Sequence, residues 1–107
     1  MPEKKITLSP NGSGATLTTE ILYTDPDSGY VFQRQTSTPG FQSEKHDHTA
    51  REVVYVEKGL LIDHTGEYPA GSVKINEKGF VHQSHNGSEG CTLLIWSKGG
   101  HAPIDER

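Results

Sequence analysis

One stretch decides the fold of this chain: Gly40-Phe-Gln-Ser-Glu-Lys-His46-Asp-His48-Thr-Ala-Arg-Glu52-Val-Val-Tyr-Val-Glu-Lys-Gly59. His46 and His48 are two residues apart, so on an extended strand both imidazoles project to the same side. Glu52 follows directly before a β-branched and aromatic run, which is typical of a strand. Two imidazoles and a carboxylate on neighbouring strands can converge on one ion. The stretch therefore predicts most of a metal site.

Short apolar runs, separated by Gly and Pro, continue on both sides of this stretch. The runs that we predict as further strands are residues 15–24, 30–37, 53–56, 60–62, 72–75, 80–82 and 91–97. Turns are predicted at Asp25–Gly29, Glu57–Gly59 and His64–Gly66. There is no internal repeat and no helical periodicity of useful length. The pattern favours an all-β sandwich or barrel.

The length of 107 residues predicts a single domain, spanning residues 1–107, with a polar N-terminal arm (1–14) and a polar C-terminal tail (98–107). Only 31% of the residues are apolar, which is low for a folded domain. The net charge of −4 and the clustering of apolar residues into short runs nevertheless favour a folded chain. Its core is expected to be modest and to gain stability from a metal or from dimerisation.

Charge and hydropathy exclude several classes of function. Ten basic residues stand against fourteen acidic ones, with no basic cluster beyond Lys4-Lys5, so no nucleic-acid partner is expected. No apolar run approaches membrane-spanning length, and no apolar segment follows the basic start, so we expect a cytoplasmic, soluble protein with no membrane partner. Cys91 is the single cysteine and lies in an apolar run, where it is interpreted as a small buried hydrophobe.

A further histidine in the second half completes a ligand set that resembles the cupin superfamily. The first cupin motif, G-x5-H-x-H-x3,4-E-x6-G, matches residues 40–59 at every fixed position. The second, G-x5-P-x-G-x2-H-x3-N, matches Gly71, Gly79, His82 and Asn86, but Glu77 stands where the family has proline. Residues 63–71 and 90–94 further resemble the ChrR anti-sigma type of cupin and the related acetylacetone-dioxygenase-like group.

The resemblance implies a small jelly-roll β-barrel, a double-stranded β-helix, with metal ligands at His46, His48, Glu52 and His82. Three imidazoles and one carboxylate suit one divalent transition metal per chain, with Zn²⁺ or Fe²⁺ favoured and Mn²⁺, Ni²⁺ or Cu²⁺ as alternatives. They do not suit Ca²⁺ or Mg²⁺, which prefer oxygen ligands. A closed four-coordinate shell would be structural, whereas a higher coordination number would admit a small molecule.

Other polar residues are assigned with less support from spacing. His64 (in a turn), His85 and His101 (in the tail) are interpreted as surface residues rather than ligands. Phe32 and Arg34 share one strand face and are predicted to line a substrate pocket, where Arg34 would bind an anionic or enolate-like group. The alternative is a solvated arginine on the outer face. Glu44 and Trp96 are further pocket candidates.

Three functions are compatible with these residues. The first is a mononuclear metal-dependent dioxygenase or related enzyme acting on a small dicarbonyl- or enol-type molecule. The second is a metal- or ligand-binding sensor module like the ChrR cupin domain. Because anti-sigma factors bind sigma through a separate helical domain, for which there is no room before residue 15, direct anti-sigma action is not expected. In the third, the metal only stabilises a small core. Exposed edge strands and the small core suggest a homodimer.

Overall fold

The computed structural model describes residues 3–98 and 101–103, and for residues 101–103 it describes the backbone only. All regular structure in these ranges is β-structure. The ten strands are β1 (Glu3–Leu8), β2 (Thr16–Thr24), β3 (Tyr30–Ser37), β4 (His46–His48), β5 (Glu52–Asp63), β6 (Gly66–Pro69), β7 (Val73–Asn76), β8 (Val81–His82), β9 (His85–Lys98) and β10 (His101–Pro103). Within the described ranges no helix is long and apolar enough to cross a membrane.

The strands form two antiparallel sheets that face one another. The large sheet has the order β1-β2-β3-β9-β5-β6, and β7 also pairs with β5. The small sheet has the order β10-β4-β8. The long strand β5 pairs with β7 near its start and with β6 near its end, while β9 runs along its other edge. This two-sheet, all-β arrangement confirms the predicted fold class.

The core lies on the inner face of the large sheet, where β5 and β9 are adjacent. Its buried members are Val54, Val56, Leu61, Cys91 and Ile95, with Tyr68 and Leu93 packed against them. Cys91 is buried as predicted, and burial raises the pKa of its thiol to about 11. The core is small, and polar side chains fill the space next to it. That space contains the site.

The outer face of the large sheet also carries apolar side chains. Strand register places Tyr23, Phe32, Trp96, Val53 and Ile75 in one row across five strands. The neighbouring row contains Arg34, Leu94, Tyr55 and Val73. We call these two rows the outer apolar face.

One predicted turn differs from the structure, and the predicted arm and tail both contain strand residues. Residues 57–59, predicted as a turn, lie inside the continuous strand β5, where two register shifts with β9 absorb the extra residues. The predicted polar arm contains β1, which pairs with β2 along its whole length. The predicted tail begins inside β9, and its backbone returns at β10 to pair with β4. Residues 1–2, 99–100 and 104–107 lie outside the described residues.

Candidate metal centre

Three of the predicted ligands meet between the two sheets. His46 and His48 project from the same side of β4, and the register of the small sheet places His46 opposite His82 on β8. All three side chains are buried, and each offers a ring nitrogen within 4.8 Å of those of the other two. The two-residue spacing therefore places His46 and His48 on one side of the strand, as expected, and the short strand β8 supplies the third imidazole.

Glu52 joins this group through His48. It is the first residue of β5 and is buried, with its Oε1 atom 3.1 Å from His48 Nε2. The compact cluster consists of the three histidines, and Glu52 borders it from the large sheet. The structure thus places all four predicted ligands in one buried region.

The Nδ1 atom of every one of these histidines is engaged by an acceptor. His46 Nδ1 lies 2.7 Å from the carbonyl oxygen of Glu44, and His48 Nδ1 lies 3.0 Å from that of Phe80. His82 Nδ1 lies 2.9 Å from Asp63 Oδ2. Because carbonyl and carboxylate oxygens only accept, Nδ1 carries the proton in each ring. The lone pair of the neutral ring is then on Nε2, as in histidines that bind metals.

The contact between His48 and Glu52 requires a cation. His48 Nε2 and the carboxylate oxygen would both be acceptors if the ring were neutral, yet they are 3.1 Å apart. In the metal-free chain, a proton on His48 Nε2 can be this cation. Burial lowers the pKa of His48, but the hydrogen bonds and charge of Glu52 and the carbonyl of Phe80 outweigh it, so the pKa is raised. A metal ion bound by both atoms would replace that proton.

A buried polar chain connects Glu52 with His82 and was not predicted from the sequence. Asn76 Nδ2 donates to Glu52 Oε1 at 2.8 Å, and Asn76 Oδ1 accepts from Lys74 Nζ. Lys74 Nζ also lies 3.0 Å from Asp63 Oδ2, the oxygen that accepts from His82. Buried Lys and Asp are unusual unless they are paired. One signal was available in strand β7, where Lys74 and Asn76 alternate with Val73 and Ile75.

A cavity of about 510 Å³ opens beside these groups. His46, Glu52 and His82 are among its polar lining residues, and Val54, Leu61 and Ile95 are among its apolar ones. Glu44 and His85 also line it. His85 is exposed, as expected, and its exposed side chain lies at the cavity.

The predicted pocket residues Phe32 and Arg34 do not line this cavity. They lie on the outer apolar face, where Arg34 Nε is 3.4 Å from Glu57 Oε1. Their strand neighbours Gln35 and Ser37 line the cavity instead. The sequence does not indicate which face of β3 adjoins the cavity, because both faces of this strand mix polar and apolar residues.

Asn86, the last residue of the second motif, has a structural role in this chain. Its Nδ2 donates to Ser37 Oγ and to the carbonyl oxygen of Thr38, at 2.8 and 2.7 Å, and its Oδ1 accepts from the backbone N–H of Gly40 at 3.1 Å. These bonds fix the turn that leads into the segment carrying His46 and His48. The motif asparagine therefore supports the ligands from a distance.

The donor set fits a divalent transition metal. Three imidazole nitrogens and one carboxylate oxygen form a borderline set that Zn²⁺, Fe²⁺, Mn²⁺, Ni²⁺ and Cu²⁺ accept. The tautomers are already set by the Nδ1 hydrogen bonds, and Asp63 is placed as the carboxylate partner of a ligating histidine. Burial lowers the pKa of His82 and outweighs the opposing effect of the hydrogen bond that His82 donates to Asp63, so the ring is kept neutral and able to bind a cation.

Comparison with known proteins assigns this fold. A family model described as the ChrR cupin-like domain matches residues 5–101. No curated protein matches the chain. Several of the solved structures that it resembles are described as cupins or cupin-like proteins, and together with the family match they support the expected all-β cupin fold.

Three solved structures illustrate the range of these relatives. An acetylacetone dioxygenase from Acinetobacter johnsonii superposes with a TM-score of 0.77 at 16% identity, over 99% of this chain and 80% of that one. A cupin-like protein of unknown function from Ralstonia eutropha JMP134 superposes with a TM-score of 0.74 at 19% sequence identity. The match covers 84% of this chain and 59% of that one. A chain from the Rhodobacter sphaeroides complex of SigE with the anti-sigma ChrR superposes with a TM-score of 0.64 at 19% sequence identity. The match covers 81% of this chain and 46% of that one. This chain thus spans little more than half of the second and less than half of the third. At such identities the likeness is one of fold alone.

Proposed function

The chain belongs to the ChrR cupin-like domain family, and on that premise we propose that it binds one divalent transition metal through His46, His48, Glu52 and His82. The observation that carries this proposal is the orientation of the three imidazoles. Each donates from Nδ1 to a fixed oxygen, and their ring nitrogens converge within 4.8 Å beside a buried carboxylate. Zn²⁺ and Fe²⁺ are the favoured ions by donor chemistry.

We further propose that the metal serves a small molecule rather than only the fold. The cavity reaches His46, Glu52 and His82, so a ligand inside it can approach the metal position. Its walls combine apolar side chains with many polar ones, which suits a small molecule that offers both an apolar part and a chelating oxygen pair. A dicarbonyl or enol has this chemistry. A divalent metal supplies polarisation of the chelated oxygens and, if redox-active, electron transfer.

The residues of the chain would bind and orient such a substrate. The apolar wall of Val54, Leu61 and Ile95 excludes water from its body. Gln35 and Ser37 offer hydrogen bonds on the β3 side, and Glu44 and His85 are placed to accept or donate a proton at the cavity surface. The proposed activity is that of a mononuclear metal-dependent dioxygenase or a related enzyme.

The test combines metal content with turnover. Metal-depleted protein is reconstituted separately with Zn²⁺, Fe²⁺, Mn²⁺, Ni²⁺ and Cu²⁺, and bound metal is measured by elemental analysis. We expect about one equivalent of bound ion, and its loss in His82→Gln. The matched control Gln83→Ala removes an exposed side chain with one hydrogen bond to Ser43 and should keep the metal.

Oxygen consumption is then followed with a panel of β-diketones, flavonols and keto acids. Consumption that depends on the metal and on a panel compound supports the enzyme. Protein that binds a full equivalent of metal but shows neither turnover nor any perturbation of the metal spectrum by these compounds would contradict it.

The alternative function is a sensor module, favoured by the family match to the ChrR cupin-like domain. In that case metal or ligand occupancy would change the binding of a partner protein. Affinity capture with metal-loaded and chelator-treated protein separates the two functions. A partner retained only in one state, with no turnover on the panel, supports the sensor.

We also propose a homodimer formed through the outer apolar face. Tyr23, Tyr55, Val73 and Ile75 on this face are 40–62% exposed, an unusual number of large apolar side chains on one face of a sheet. The charged pair on it, Arg34 with Glu57, is internally neutral. A second copy can therefore approach without charge repulsion, although each chain carries a net charge of −4.

A further inference from the structure

Strand β7 buries its polar side chains and exposes its apolar ones. Val73 and Ile75 are 62% and 56% exposed, whereas Lys74 and Asn76 are 7% and 1% exposed. Burying a lysine while two β-branched residues face outward works against the hydrophobic effect. Such a local conflict persists where the buried groups have a role that outweighs its cost.

The buried cation of Lys74 lies midway in the chain that connects two proposed ligands. On one side it pairs with Asp63 Oδ2 at 3.0 Å, and the same oxygen accepts from His82 Nδ1 at 2.9 Å. On the other side it donates to Asn76 Oδ1. Because that oxygen is directed to Lys74, the amide nitrogen of Asn76 must face Glu52, to which it donates at 2.8 Å.

Charge balance explains why a cation is needed at this position. Glu52 and Asp63 are both buried carboxylates. Lys74 offsets Asp63, while Asn76 gives Glu52 a neutral donor that does not compete with a metal for its charge. Lys74 is also held over the ring of Phe80, with Nζ 4.4 Å from the ring centroid. It is therefore fixed on several sides.

Lys74 does not line the cavity, whereas Asn76, Glu52 and His82 do. It consequently has no direct access to a bound small molecule. We propose that Lys74 is a positioning residue that sets the carboxylate of Glu52 and the imidazole of His82 for metal binding. This inference rests on the proposed metal site and adds to it a residue that stands at an untyped position of the second motif.

The test uses Co²⁺ as the probe ion, because its visible absorption reports the geometry of its ligands. Affinity is measured by competition with a chromophoric chelator, and the spectrum is recorded at saturation. We expect Lys74→Met and Asn76→Ala each to lower Co²⁺ affinity by about 10- to 100-fold and to change the visible band. Since both act on Glu52 in series, the double variant should lose less than the product of the single losses.

Val56→Ala is the control for a merely structural effect. Val56 is fully buried in the core and has no part in the polar chain, so its truncation should lower the unfolding temperature while the affinity and the Co²⁺ spectrum stay unchanged. A Lys74→Met protein that folds and keeps both the affinity and the spectrum of the wild type would overturn the proposal.

Should Lys74→Met fail to fold, Asn76→Ala decides the question, because it cuts the branch to Glu52 and leaves the pair of Lys74 with Asp63 intact. An unchanged affinity and spectrum in that variant overturns the role of Lys74 toward Glu52. Wild-type protein that takes up no Co²⁺ overturns the metal site itself, which is a distinguishable result.

Discussion

At the scale of single residues, the fixed tautomers of the three histidines make metal binding a proton exchange at one ring. The pKa of His48 is raised above its ordinary value of 6.5, so in the metal-free protein this ring holds a proton at and somewhat above that pH. The pKa of His82 is lowered, so that ring is already neutral there. A metal must displace the proton from His48, and its affinity should therefore increase as the pH rises through the raised pKa.

We predict that Zn²⁺ binding releases more protons per ion at pH 6.5 than at about pH 9, because the raised pKa of His48 favours a protonated ring at the lower pH. The measurement is isothermal titration calorimetry in pairs of buffers with different ionisation enthalpies. Equal release at the two pH values would contradict the assignment to His48. At still lower pH, His82 should begin to limit binding, because its lowered pKa delays its protonation.

Asn86 stabilises the turn that leads into the segment carrying the predicted ligands. Asn86→Ala removes three hydrogen bonds that hold the turn at residues 38–40. We expect it to lower the free energy of unfolding by about 2 to 3 kcal/mol, measured by urea denaturation of the metal-free protein. Gln83→Ala, which loses one hydrogen bond of an exposed amide, should change it by less than about 0.5 kcal/mol. Similar losses in the two variants would be evidence against this role.

Residue patterns predicted which four side chains come together in the buried region, but not the groups that contact them. Both motifs require a particular residue type at fixed spacings, and His46, His48, Glu52 and His82 stand at such positions. These positions can be identified in a sequence without knowledge of the fold. Asp63, Lys74 and Asn76 have no such spacing, since their partners are distant along the chain. The face of β3 that adjoins the cavity could not be predicted for a related reason. A strand with apolar residues on both sides does not indicate which side faces the cavity.

At the scale of elements, strand β5 depends on glycine. Gly59 lies within β5 with φ of +78°, and a Cβ atom there would lie 2.2 Å from the carbonyl oxygen of Gly90 on β9. The Glu57–Gly59 sequence looks like a turn because it combines polar residues with a glycine. In the structure the glycine instead permits a bulge and the close approach of two backbones.

We therefore predict that Gly59→Ala is severely destabilising, by more than about 3 kcal/mol, or prevents folding. Gly71→Ala is the matched control, since Gly71 has φ of +94° but no atom within 4 Å of the added Cβ. It should cost only about 1 to 2 kcal/mol, the penalty of the left-handed backbone itself. Thermal unfolding monitored by circular dichroism measures both. Equal costs would show that backbone conformation, rather than overlap with β9, is what matters at Gly59.

At the scale of the whole molecule, the two faces of the large sheet have separate tasks. The inner face carries the core, the cavity and the candidate metal centre. The outer apolar face carries the surface that we assign to a second copy. The arrangement as an all-β, two-sheet domain followed from the spacing of short apolar runs. The sequence did not indicate which face of the large sheet is the inner one, because apolar side chains occupy both faces.

We predict that the wild type sediments as a dimer and that Ile75→Lys sediments as a monomer with its metal content retained. Ile75 is 56% exposed on β7, at one end of the apolar row, so a charge introduced there would be buried in the interface. Ser88→Lys adds the same charge at another exposed position and should leave the dimer intact. Sedimentation equilibrium provides the measurement. A wild type that stays monomeric at high micromolar concentration would contradict this assignment.

The stacking of Trp96 on Tyr30, with ring centroids 5.3 Å apart, gives this chain a built-in optical reporter. Trp96 is its single tryptophan, and it belongs to the outer apolar face rather than to the cavity. Its fluorescence should consequently shift to the blue when dilute protein is concentrated and stay nearly constant when Zn²⁺ is titrated in. Emission from this indole thus separates self-association from cation uptake without any label.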